Sequence, residues 1–222
     1  MKTFILLQLL CGLMTAEAQR LRFSPVLSAT AIITEKPYYC ASINDSITFS
    51  RIAFYISNLQ YVDDRGYTLA DSLTVRLLDT EHPESFSFPL PTNLNIKEIQ
   101  FTLGIDSLTQ ESGVRGGDLD PMHGMYWTWQ SGYIHAKIEG KSPAFPSRKN
   151  EFQYHLGGYR SPWSTLQSIR VQTKNQQEIE IQISLDTFLR AITPAEEPAV
   201  MQPGSKAQLL SYHLAQCFQL KP

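Results

Sequence analysis

Residues 178–185 read EIEIQISL, so Ile179, Ile181, Ile183 and Leu185 alternate with polar side chains. A period of two places all four on one face of an extended chain, and a helix cannot reproduce that face. Similar stretches recur along the sequence at 46–62 (SITFSRIAFYISNLQYV), 71–78, 98–105, 132–139, 152–156 and 168–173. Each is rich in β-branched and aromatic residues and bounded by polar or Gly/Pro segments. Many short strands must stack their apolar faces on one another, which predicts an all-β antiparallel β-sandwich. The polar stretch 174–177 before the last strand predicts a hairpin joining 168–173 to 178–185. Helical patterning is confined to 186–192 and 204–218, the latter opening after Pro203-Gly204-Ser205.

The N-terminus follows a different logic. Lys2, then an apolar run from Phe4 to Leu10, then Ala16-Glu17-Ala18 has the layout of a secretory leader with an A-x-A cleavage site. The expected division is a signal peptide over 1–18 and one domain over 19–222. The apolar run is too short for a ~30 Å hydrocarbon core, so no membrane span is expected. Leu10 stands where a lipoprotein site needs a small residue before Cys11, which argues against a lipid anchor. Export implies an oxidising compartment, periplasmic or extracellular, where Cys40 and Cys217 would remain as a candidate disulfide. Two buried thiols or a thiolate metal site are the rival readings. The balance of 19 basic and 21 acidic residues excludes the basic stripe of a nucleic-acid binder.

Catalytic signatures are absent: there is no G-x-S-x-G, H-E-x-x-H, C-x-x-C or phosphate-cradling glycine loop. The distinctive region is 104–139, GIDSLTQESGVRGGDLDPMHGMYWTWQSGYIHAKIE. It holds Trp127-Thr128-Trp129, whose rings would share a face if the segment is extended. The pair is equally what a buried core would contain. Asp106, Asp118 and Asp120, with the glycines around them, form a possible Ca²⁺ loop, though such residues more often close Asx-turns. A hydrolase built on Asp118, Asp120 and His123 would need a positioned partner and a pocket, and a flexible loop with no nucleophile motif argues against it, so no enzyme is expected.

An ordered series of motifs runs through this region. Gly104-Ile105-Asp106-Ser107 is followed by Gly117-Asp118-Leu119-Asp120-Pro121 and Gly124-Met125-Tyr126-Trp127-Thr128-Trp129. Ser131-Gly132-Tyr133, Lys137-x-Glu139-Gly140 and Tyr154-His155-x-Gly157-Gly158 come next. With Phe54-Tyr55-Ile56-Ser57-Asn58 upstream and Val200-Met201-x-Pro203-Gly204 downstream, the chain resembles the MbnP-like family of bacterial periplasmic proteins. The resemblance implies a β-sandwich and copper binding. It also implies that Trp127 or Trp129 is oxidised to kynurenine by a di-haem cytochrome c peroxidase-like partner.

Copper takes imidazole readily, and softer thioether when reduced. The expected ligands are His155, which sits at a family motif position, His135, and His123 just ahead of the tryptophans. His82, in a polar loop before Pro83, and His213, in the C-terminal helical stretch, are set aside. Met122, Met125 and Met201 are more often packing residues. One departure from the family pattern is that residues 21–28 carry none of the histidines found near the mature N-terminus of copper-associated members. The alternative is therefore a structural or protein-binding sandwich that has lost the metal site.

Overall fold

The computed structural model describes residues 19–91, 94–128, 132–174 and 178–222. The expected leader at 1–18 and Trp129 lie outside these residues. Along the first half run β1 (Arg20–Leu27), β2 (Thr30–Ala31), β3 (Pro37–Cys40), β4 (Asp45–Asp63), β5 (Thr68–Ala70), β6 (Val75–Asp79), β7 (Ser87–Pro89) and β8 (Ile96–Leu103). The second half contains a short helix α1 (Ser107–Glu111), then β9 (Tyr126–Trp127), β10 (Gly132–Lys141), β11 (Glu151–Gly157), β12 (Gln167–Gln172) and β13 (Glu178–Ser184). Helix α2 (Leu185–Arg190), β14 (Ala199–Val200), helix α3 (Ser205–Ala215) and β15 (Phe218–Leu220) complete the chain. No helix among the described residues is long and apolar enough to cross a membrane.

Two sheets face each other. The smaller runs β15-β13-β1-β2, with β7 also on β1, and the larger runs β12-β8-β4-β10-β11-β14. The all-β sandwich expected from the alternation is what forms, with most pairings antiparallel. Two are not: β1 lies parallel to β13 and β11 parallel to β14. Between the sheets, Leu21, Phe23, Ile179, Ile181 and Ile183 meet Phe54, Ile56, Phe101 and Tyr154 in one apolar layer. Phe23 on Phe101 and Phe54 on Phe218 are edge-to-face pairs, both with centroids 5.5 Å apart. That geometry is the favoured one for aromatic quadrupoles.

The expected hairpin at 174–177 is not formed. β12 pairs with β8 in the large sheet, whereas β13 pairs with β1 and β15 in the small one, so the chain crosses between layers. The apolar face of β13 is thereby brought against the large sheet. Residues 175–177 lie outside the described residues. The cysteines also depart from the pairing expected: Cys40 and Cys217 are free and buried. Cys40 ends β3 beside Ser42 Oγ at 3.1 Å, and the Cys217 thiol donates to His213 O at 3.4 Å. Burial pushes the Cys217 thiol up to about 12, so it stays protonated and packs as a small apolar group.

β4 departs most from simple alternation. Every residue from Ile52 to Ser57 is buried. Ile52, Phe54 and Ile56 enter the core between the sheets, while Ala53 and Tyr55 enter a second apolar cluster on the outer face. That second cluster also holds Ile105, Leu119, Met125, Trp127 and Tyr133. The distinctive central segment is therefore a cover laid over the outside of the large sheet.

Gly140 marks where β10 bends. Its register on β4 shifts between Glu139 and Gly140, and a Cβ built there would stand 2.2 Å from Thr48 O and 2.6 Å from Phe152 Cζ. Backbone on one side and a packed ring on the other leave no room. Gly140→Ala should cost about 1–3 kcal/mol in urea unfolding, the range for overpacking. A neutral result would show that the bulge can relax.

Candidate functional site

The covering segment is tied down residue by residue. Asp106 caps α1, accepting from Thr109 N and Thr109 Oγ1 at 2.9 Å each. Asp118 Oδ2 accepts from Leu77 N at 2.9 Å, which staples the loop to β6. Asp120 caps the 3-10 turn Pro121–His123 through Met122 N at 2.9 Å. The three carboxylates expected as a Ca²⁺ loop thus serve three separate backbone donors. Among the described residues no group of three or more His, Cys, Asp or Glu is arranged to hold a metal.

The three histidines expected as ligands are scattered. His135, on β10, is fully buried. Gln110 Oε1 accepts from Tyr133 N at 3.0 Å, so the Gln110 amide nitrogen faces the imidazole and donates to His135 Nε2 at 2.6 Å. His135 Nδ1 then donates to Thr165 Oγ1 at 2.8 Å, and Thr165 Oγ1 donates to Gly158 O at 3.0 Å. Both ring nitrogens are satisfied, and the ring joins α1 to the loop after β11. Burial lowers its pKa to about 3, holding it neutral.

His155, on β11, is 7% exposed and donates from Nε2 to Glu139 Oε1 at 2.6 Å. Burial works against the charge of Glu139, but the His155 hydrogen bond and the Lys137 charge outweigh it and keep the carboxyl below its ordinary range. Lys137, buried on β10, reaches the loop and donates to Gly124 O at 2.7 Å. His155 and His135 therefore act as internal hydrogen-bonding residues.

His123 differs. Its Nε2 lies 3.1 Å from Gly117 O, and a carbonyl only accepts, so Nε2 is the donor of that bond. Its ring lies edge-on to that of His82, with centroids 6.1 Å apart. The two line a small pocket of about 210 Å³ with Glu84, Asp79 and Asp118. His82 Nδ1 is 3.8 Å from Glu84 Oε1. The residue set aside in the sequence is the one that approaches His123. Its signal was slight: it sits in a turn where His82 N donates to Asp79 O at 2.9 Å, directly after a strand paired with β4.

Trp127 closes the covering segment. It is 6% exposed and lies under β11, where a Cβ on Gly157 would meet its Cζ3 at 2.6 Å. Its outer edge joins Tyr133, Tyr159 and Trp163 in lining a cleft of about 400 Å³ rimmed by Arg160. The indole is therefore packed in the outer cluster and borders the cleft.

The neutral His135 makes stability pH-dependent. Unfolded, it titrates near its ordinary 6.5; folded, only near 3. Between those values the unfolded chain binds the extra proton, so stability is fully present above about 6.5 and is lost as pH falls towards 3. The loss should approach about 1.4 kcal/mol per pH unit in that window. Urea titrations from pH 7.5 to 4 should show a shallower slope for His135→Gln; equal slopes would contradict the assignment.

Comparison with known proteins fits this architecture. A search of curated proteins finds no match. Among solved structures, MbnP from Methylosinus trichosporium is similar, with a TM-score of 0.53 at 15% identity over 85% of this chain and 81% of that one. At that identity the likeness speaks for the fold. The family model for MbnP matches residues 16–202, which take in the large sheet, the small sheet apart from β15, and the whole covering segment. The chain belongs to the MbnP family.

Proposed function

We propose that this chain is an exported, non-enzymatic copper-binding protein, periplasmic or secreted, whose copper ligands centre on His82 and His123. The observation that carries the reading is the approach of these two imidazoles in one small pocket. Imidazole nitrogen suits copper, and metal-bound histidines characteristically donate their other ring N–H to a carbonyl or carboxylate, as His123 does to Gly117 O. His82 and His123 would hold the ion, with Glu84 close enough to His82 to orient it. Copper, when bound there, supplies a soft redox-active centre. The protein's part is to bring two imidazoles together in an open pocket, that of His123 held by its bond to Gly117 O. His135 and His155, committed to Gln110, Thr165 and Glu139, leave the ligand set.

The second half of the reading concerns the tryptophans. Trp127, buried but lining the cleft, is offered as the residue that a di-haem cytochrome c peroxidase-like partner oxidises to kynurenine; Trp129 is the alternative target. Against this stands a protein-binding sandwich without metal, which is favoured by the internal role of two of the three expected histidines.

Protein produced with its leader and neighbouring genes should carry copper by elemental analysis. His82→Ala and His123→Ala should each abolish retention through desalting, and His155→Ala should not. Mass spectrometry of the peptide spanning residues 126–132 should show the tryptophan-to-kynurenine mass change. Copper-free wild type with unmodified tryptophans would favour the protein-binding reading.

A further inference from the structure

Arg51 lies on β4 opposite Glu139 of β10, on the outer face of the large sheet. Its guanidinium makes a fork with the buried Asp79 carboxylate, Nε to Oδ1 at 3.2 Å and Nη2 to Oδ2 at 2.5 Å. The same Nη2 also donates to His123 O at 2.6 Å. Asp79 in turn builds the turn that carries His82: Asp79 O accepts from His82 N, and Asp79 Oδ1 accepts from Glu81 N at 3.0 Å. One side chain is thus bonded both to the residue that anchors the His82 turn and to the backbone of His123.

Two neighbours reinforce this arrangement. Lys137 Nζ donates to the next carbonyl, Gly124 O, so two cations hold consecutive peptide groups of the loop. Gly124 has φ +66°, ending the 3-10 turn in the left-handed region, with its Cα side 3.5 Å from Arg51 Nη1 by the position of a built Cβ. A guanidinium can serve a carboxylate and a carbonyl at once because its five donors point in fixed directions; an ammonium offers no such fork. We infer that Arg51 is the positioning residue of the two-histidine site: by bridging Asp79 and the His123 carbonyl it sets the separation of the His82 and His123 imidazoles. This rests on the copper reading for its purpose, but the spacing it claims is a property of the protein alone.

Arg51→Lys keeps a cation beside the buried Asp79 and loses the fork. A second variant, Arg51→Gln with Asp79→Asn, removes both charges together and leaves no buried carboxylate unpaired; the guanidinium's other partner, Glu81 at 3.2 Å, is exposed. Arg76→Lys, which weakens a different Arg–carboxylate pair at Asp71, is the control for general loss of stability. Two readouts are taken on the full chain. In histidine-labelled protein, the wild type and Arg76→Lys should show a cross-relaxation contact between the His82 and His123 rings, and both Arg51 variants should lose it. In anaerobic competition against a chromophoric chelator, Cu(I) should bind about 10–100-fold more weakly to the Arg51 variants and unchanged to Arg76→Lys, the scale for loss of an outer partner of a metal ligand. Folded Arg51 variants that keep the ring contact would overturn the inference. Wild type that keeps the contact but binds no Cu(I) would overturn the copper reading and leave the positioning role standing.

Discussion

Everything on the outside of the large sheet depends on β4 being buried on both faces. A strand with one wet face can present polar residues there, but residues 52–57 have none of that freedom. They need an apolar layer above as well as below, and the segment from Ile105 to Tyr133 supplies it through Leu119, Met125 and Trp127. At roughly 25 cal/mol per Å² of apolar surface, uncovering such a face would be strongly unfavourable. The covering segment is therefore fixed on the sheet by the same force that holds the sandwich together. His123 and Trp127 ride on that cover, while His82 stands in the turn after β6.

At the border of the apolar cover the chemistry changes from packing to charge. Arg51, Asp79, Lys137, Glu139 and His155 lie side by side where the loop ends. Taking such groups out of water is costly, and a buried ion pair is weak ground for claiming stability. Here every member also bonds to backbone or to another member of the cluster, which is the condition under which a buried polar network defines a single arrangement. The apolar half of the outer face holds the loop down, and the charged half fixes its register.

Much of the sandwich was legible in the sequence because alternation reports directly on which face is buried. Residues 178–185 and 168–173 read as strands, and strands form at Glu178–Ser184 and Gln167–Gln172. Their mutual pairing was misread because alternation says nothing about partners, and the parallel neighbour of β13 lies more than 150 residues away at β1. The histidines show the same boundary. Alternation put His155 and His135 correctly on the side opposite the main core, but exposure on that side depends on a cover formed by distant residues. His82 was passed over because a turn before a proline looks like solvent, and only the β4–β6 pairing brings it to His123. The tryptophan and glycine motifs carried the family, because they are short, ordered and local.

The small sheet is built from the two ends of the domain. β1 finds its long partner only in β13, and β13 is flanked on its other side by β15 at Phe218–Leu220. Loop closure over such distances is entropically slow and must precede the contacts that reward it. Until residues 178–220 are available, Leu21 and Phe23 have only the three-residue β7 and two-residue β2 beside their strand, and the inner face of the large sheet stays uncovered. The small sheet is thus a clasp that no fragment ending before β13 can close.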